Sequence, residues 1–126
     1  MKRLLFIVAM MLTIFGLTSC NKDNFGYQKQ VEFSAEGGTK SVTGTSSIYE
    51  LSIANYNGEE EWDDDELDGD ETVMSVRFDW LSAVATRNSK TITITAEPNN
   101  TGKRRVLYIY GEVRDRSSCI KVIQNK

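Results

Sequence analysis

The chain has 126 residues, with 15 lysines and arginines against 18 aspartates and glutamates, and it contains no histidine. Hydrophobic residues at 40% and charged residues at 26% are ordinary globular usage, which excludes general disorder and a polytopic membrane protein. Lack of histidine removes His-based triads, His metal sites and the commonest general base near neutral pH, and the acidic balance argues against nucleic acid as a partner.

Lys2 and Arg3 precede an apolar run from Leu4 to Leu17, interrupted by Thr13 and Gly16 and followed at once by small residues. That is the layout of a secretory signal, and it falls short of the about 20 apolar residues that a spanning helix needs. Leu17-Thr18-Ser19-Cys20 resembles the lipobox of bacterial lipoproteins. The resemblance implies that residues 1–20 are a lipoprotein signal peptide, that Cys20 is lipidated, and that the protein is held at the cell envelope, at the outer membrane and exposed at the surface. Two or three acyl chains anchor durably, at about 0.8 kcal/mol per buried CH₂, where one does so only marginally.

Without its first two basic residues the exported part carries 13 basic against 18 acidic residues, a balance of -5. Residues 21–29 open on Asn21-Lys22-Asp23-Asn24 and read as a linker with a reach of about 30 Å. With Cys20 given to lipid, an intrachain disulfide is not expected, and Cys119 reads as a small buried hydrophobe at the start of a strand.

From Gln30 to Lys126 the periodicity is that of strands. Val31 to Phe33, Lys40 to Thr45 and Ile48 to Ala54 come first. Gly58 to Thr72 follows as an acidic insertion that holds ten of the eighteen acids. Val73 to Phe78, Trp80 to Ala85, Thr91 to Ala96, Arg104 to Tyr110 and Cys119 to Gln124 complete the set. Thr91-Ile92-Thr93-Ile94-Thr95 alternates cleanly and predicts a strand with one buried face. Arg104 to Tyr110 is apolar on both faces and predicts a central strand. Glu97 to Gly102 is a turn by composition, and Gly111 to Ser118 reads as a polar connection. The economical solution is an all-β, immunoglobulin-like antiparallel β-sandwich of seven or eight strands, expected to be monomeric.

Gly37-Gly38-Thr39, Asp79-Trp80-Leu81, Asn99 and Asn100 through Arg105, and the closing Val122-Ile123-Gln124 occur in order along the chain. In these landmarks the segment from Val31 to Gln124 resembles the BACON domain, the Bacteroidetes-associated, carbohydrate-binding and often N-terminal module. The resemblance implies an immunoglobulin-like sandwich of the kind found in secreted and surface proteins, often beside glycan-active enzymes, and it makes Trp80 a core residue. Two features depart from the pattern. One is the acidic insertion, and the other is Ile48-Tyr49-Glu50, where such domains often carry an early tryptophan.

No enzymatic activity is expected, because a paired-carboxylate glycosidase needs two placed acids in a cleft with several positioning aromatics. Glycan binding needs exposed aromatic faces flanked by polar groups, and the candidates are Trp62 and Tyr56 beside the insertion and Tyr108 and Tyr110 on one strand face. Asp64, Glu66, Asp68 and Gly69 have the spacing of a calcium loop, but Ser75 stands where the closing glutamate belongs, so an EF-hand is rejected. A solvated, self-repelling loop accounts for the run, with Asp64, Glu66 and Asp68 left as candidates for weak hard-cation binding. No cofactor is expected. Lys103-Arg104-Arg105, with Arg114 and Arg116, form a second charged feature that could meet the acidic insertion or an anionic glycan such as mucin. The expected role is a non-catalytic glycan- or mucin-binding module, with an envelope spacer or protein-interaction subunit as the alternative.

Overall fold

The computed structural model describes residues 24–55, 60–61 and 72–126, and among them there are nine strands and no helix. In chain order they are β1 (Gln30–Phe33), β2 (Gly38–Thr43), β3 (Glu50–Ala54), β4 (Glu60–Glu61), β5 (Val73–Phe78), β6 (Leu81–Thr86), β7 (Thr91–Ala96), β8 (Arg105–Val113) and β9 (Arg116–Gln124). One sheet runs β1-β9-β8-β3-β4 and the other β2-β7-β6-β5, which is the two-layer sandwich the alternation predicts. Each inner face supplies aliphatic side chains that are fully buried between the layers, among them Ile53, Ile109, Ile120 and Val122 facing Leu81, Ile92 and Ile94.

Eight of the nine strands fall where the periodicity places them. The ninth, β4, pairs Ile53 with Glu61 and Ala54 with Glu60 inside the acidic insertion, where glutamates give no propensity signal. Pairing is antiparallel except at the edge, where β1 lies parallel to β9. The expected connection from Gly111 to Ser118 is instead strand. Gly111 pairs with Ser118, Glu112 with Ser117 and Val113 with Arg116, leaving Arg114-Asp115 as a two-residue turn with Arg114 at φ 59°. Backbone pairing asks nothing of side-chain polarity, so the hairpin continues through residues that look like a loop.

One end of the sandwich is closed by a polar lock. Gln124 is fully buried. Its Nε2 donates to the Ser34 and Glu97 carbonyls, at 3.1 and 2.6 Å, and its Oε1 accepts from Arg105 Nε at 2.8 Å. The Arg105 guanidinium lies 4.7 Å from the centroid of the Trp80 ring and also donates to the Pro98 carbonyl. Asn99, buried in the same end, donates to the Lys103 and Asn125 carbonyls and accepts from Thr101. Gly37 completes the set at φ +78°, and a Cβ there would stand 2.3 Å from the Ala96 carbonyl oxygen.

At the other end the segment read as a linker is part of the domain from Asn24 onward. Asn24 is buried and pairs its amide with both backbone groups of Cys119: Nδ2 donates to the carbonyl at 2.9 Å and Oδ1 accepts from the N–H at 2.6 Å. Tyr27 is buried too. Its hydroxyl donates to the Ser46 carbonyl, and its ring occupies the space beside Gly44. A polar opening tetrapeptide reads as tether because nothing local reveals that an asparagine will mimic a strand against β9.

A Cβ on Gly44 would lie 2.3 Å from the Tyr27 ring. Gly44→Ala is therefore expected to lower the unfolding free energy by about 1–3 kcal/mol, through overpacking of a rigid ring against backbone. Urea denaturation of the two proteins measures it, and an unchanged midpoint would contradict the docking of residues 24–28.

Candidate functional site

Alternation along β8 sends Leu107, Ile109, Gly111 and Val113 inward and leaves Val106, Tyr108, Tyr110 and Glu112 half-buried on the outer face. Tyr108 and Tyr110 thus stand about 7 Å apart in the middle strand of the five-stranded sheet, on one face as the sequence implies. Their cross-strand neighbours on that face are Lys121 and Ala54 for Tyr108, and Cys119 and Ser52 for Tyr110. Ser52, Ala54 and Cys119 are buried, so the two rings stand in a partly covered strip bordered by the half-buried Lys121 and Glu50.

Tyr56, Trp62, Asp64, Glu66, Asp68 and Cys20 lie outside the described residues. Trp80 is in the core, as the resemblance implies, at 4% exposure. Cys119 is buried but corrects the sequence reading in two ways: it lies inside β9 rather than at its start, and it is disulfide-bonded. The expectation rested on consumption of the chain's other cysteine by lipid, and a sulfur cannot carry a thioether and a disulfide together. Among the described residues there is no cluster of three metal-ligating side chains, and no helix long and apolar enough to cross a membrane.

The basic residues do not form one feature. Lys103, Arg104 and Arg105 lie at the lock end and Arg114 and Arg116 at the other end of β8, about 27 Å away. Arg105 is committed to Gln124 and Trp80. Hairpin register, invisible in a linear reading, turns two connections that look adjacent into opposite poles.

A cleft opens between the loops at the Arg114 pole, lined by Phe25, Thr45, Tyr49, Lys90, Arg114 and Arg116 among others, with a volume of about 770 Å³. The Tyr49 hydroxyl donates to the Arg114 carbonyl, and the adjacent Glu112 carboxylate raises its pKa above the usual tyrosine value. Lys90 and Tyr49 carry no local motif. They become neighbours only because the β2–β3, β6–β7 and β8–β9 connections gather at one end, as sandwich loops do.

No family model matches the chain, and no curated protein matches it. Among solved structures, it is similar to a GH5 xyloglucanase from Bacteroides ovatus in complex with a XXXG heptasaccharide, at 15% identity and a TM-score of 0.50, over 82% of this chain and 18% of that one. It is also similar to a protein from Bacteroides thetaiotaomicron solved by NMR, at 14% identity and a TM-score of 0.49, over 85% and 80% of the two chains. The chain thus spans under a fifth of the xyloglucanase, and at this identity the likeness establishes the fold alone. The class defined here is an all-β sandwich of immunoglobulin-like architecture.

Burial raises the Tyr27 pKa above the ordinary tyrosine value, near 10. The folded chain holds that proton where the unfolded chain releases it, so the contribution to stability is full below pH 10 and is lost as pH rises through the folded value. Denaturant midpoints followed from neutral to strongly alkaline pH are expected to fall more steeply above pH 10 for the wild type than for Tyr27→Phe. Parallel curves would contradict the burial of this hydroxyl.

Proposed function

We propose that the chain is an exported envelope protein with a BACON-like sandwich that binds glycan without catalysis. The observation that carries the binding reading is the pair Tyr108 and Tyr110, two half-exposed rings at sugar-ring spacing on one face, with Lys121 and Glu50 beside them as polar partners for hydroxyls. The family reading is supported by convergence: Gly37, Trp80, Asn99, Arg105 and Gln124, far apart in sequence, meet in one lock. A neighbour of similar fold belongs to a xyloglucanase captured with an oligosaccharide, which is consistent with a glycan context. The export reading rests on the signal-like segment, Lys2 and Arg3 followed by the apolar run from Leu4 to Leu17.

A glycan array with residues 21–126, followed by titration calorimetry on the retained sugar, tests the binding. Tyr108→Ala and Tyr110→Ala are each expected to weaken affinity about threefold to tenfold, the loss of one aromatic contact worth about 0.5–1.5 kcal/mol, with the circular dichroism spectrum unchanged. No retained glycan of any class, together with a co-purifying protein, would replace this reading by the spacer or interaction-subunit alternative.

A further inference from the structure

We propose that Cys119 is joined to Cys20, and that this cross-link lays the residues ahead of Asn24 along the β9 border of the tyrosine strip as a fixed wall. The cross-link stands by itself, whereas its use as a wall for sugar rests on the binding reading above.

Counting supplies the partner. Cys119 is disulfide-bonded, and the chain has two cysteines. Asn24 binds both backbone groups of Cys119 through its side chain, so the chain runs back toward Cys20 from beside β9. Four residue steps separate Asn24 from Cys20 and span about 14 Å at most, while a disulfide brings two Cα atoms within about 7 Å of each other. The reach therefore suffices without moving a strand. Bond formation removes one proton from each thiol and passes two electrons to a disulfide oxidant by exchange, the ordinary route in an exported chain.

Register supplies the position. Cys119 is the cross-strand partner of Tyr110, so its side chain shares the outer face with that ring. Both backbone groups of Cys119 are turned away from β8 toward Asn24, so Cys119 and Tyr110 form the kind of pair that exchanges no backbone hydrogen bonds. In such pairs the Cα atoms approach to about 4.5 Å and the side chains come closest. Cys119 is buried although it faces outward from the sandwich, which a segment laid over its sulfur explains. The cross-link thus lies against the β9 side of the Tyr110 ring, one row from Tyr108 and Lys121, and leaves the β3 side, toward Glu50, for the ligand. A ring already held on one side loses less freedom when a ligand stacks on it, which strengthens binding.

The test uses the full chain recovered after export. Digestion without reductant is expected to yield one peptide pair joining Cys20 to Cys119, which separates when a dithiol supplies two electrons and two protons to the bond. Nitration by tetranitromethane, mapped by mass, then compares this chain with its Cys20→Ala/Cys119→Ala form. Tyr110 is expected to react about threefold faster without the cross-link, because its covered flank is opened, while the rate at Tyr108 stays the same. Should that variant not fold, Cys20→Ala with Cys119 blocked as its methyl disulfide takes its place. A sugar retained on the array is expected to bind the cross-linked chain about threefold more tightly than either form. An acyl group on Cys20, or Cys119 linked between two chains, overturns the cross-link. A linked peptide pair with equal nitration of Tyr110 in all forms overturns the wall. Failure of the binding reading shows separately, as an array that retains no sugar while the linked peptide and the Tyr110 rate hold.

Discussion

A carboxamide with no access to water must find all its hydrogen bonds inside the protein, and in this chain that demand falls on Gln124. Its side chain binds Ser34 after β1, Glu97 after β7 and Arg105 at the start of β8, so it ties both sheets together at one pole. An unpaired buried amide costs about 1–3 kcal/mol, which makes any arrangement that omits one of these partners unfavourable. Arg105 in turn covers Trp80, the largest side chain near that pole, with its cationic face on the ring. Gly37 lets the β1–β2 connection pass close enough to the Ala96 carbonyl for the pieces to meet. This sandwich is closed at one end by side-chain hydrogen bonds, and at the other its own N-terminal segment packs beside the cleft.

That N-terminal packing sets where the domain begins. Asn24 gives β9 the two hydrogen bonds that a strand residue would give, and Tyr27 fills the space left by Gly44. The domain thus starts earlier than its strand pattern does, at Asn24 rather than Gln30.

The layers were legible because each strand alternates against a one-sided core: Ile92 and Ile94 turn inward and the flanking threonines outward, as a period of two requires. Misread segments have a common cause. The stretch 111–118 and Glu60–Glu61 form strands by backbone pairing alone, and residues 24–28 pack through contacts made almost a hundred positions away. Composition is silent about both. The tyrosine pair could be read from spacing, since i and i+2 share a face, whereas the cleft could not, because Tyr49, Lys90 and Arg114 meet only after the hairpins are registered. The landmarks were visible as a pattern, and only the fold gives them a physical meaning: they are parts of one lock.

A double-mutant cycle between Arg105→Met and Gln124→Met, read by denaturant unfolding, tests this account most directly, since methionine keeps most of each side chain's bulk while removing its hydrogen bonds. Groups that share one buried network are expected to show a coupling of about 1 kcal/mol or more, with the second substitution costing less once the first is present. Losses that simply add, to within about 0.3–0.5 kcal/mol, would mean that the two residues act independently and that the pole is not held by a shared lock.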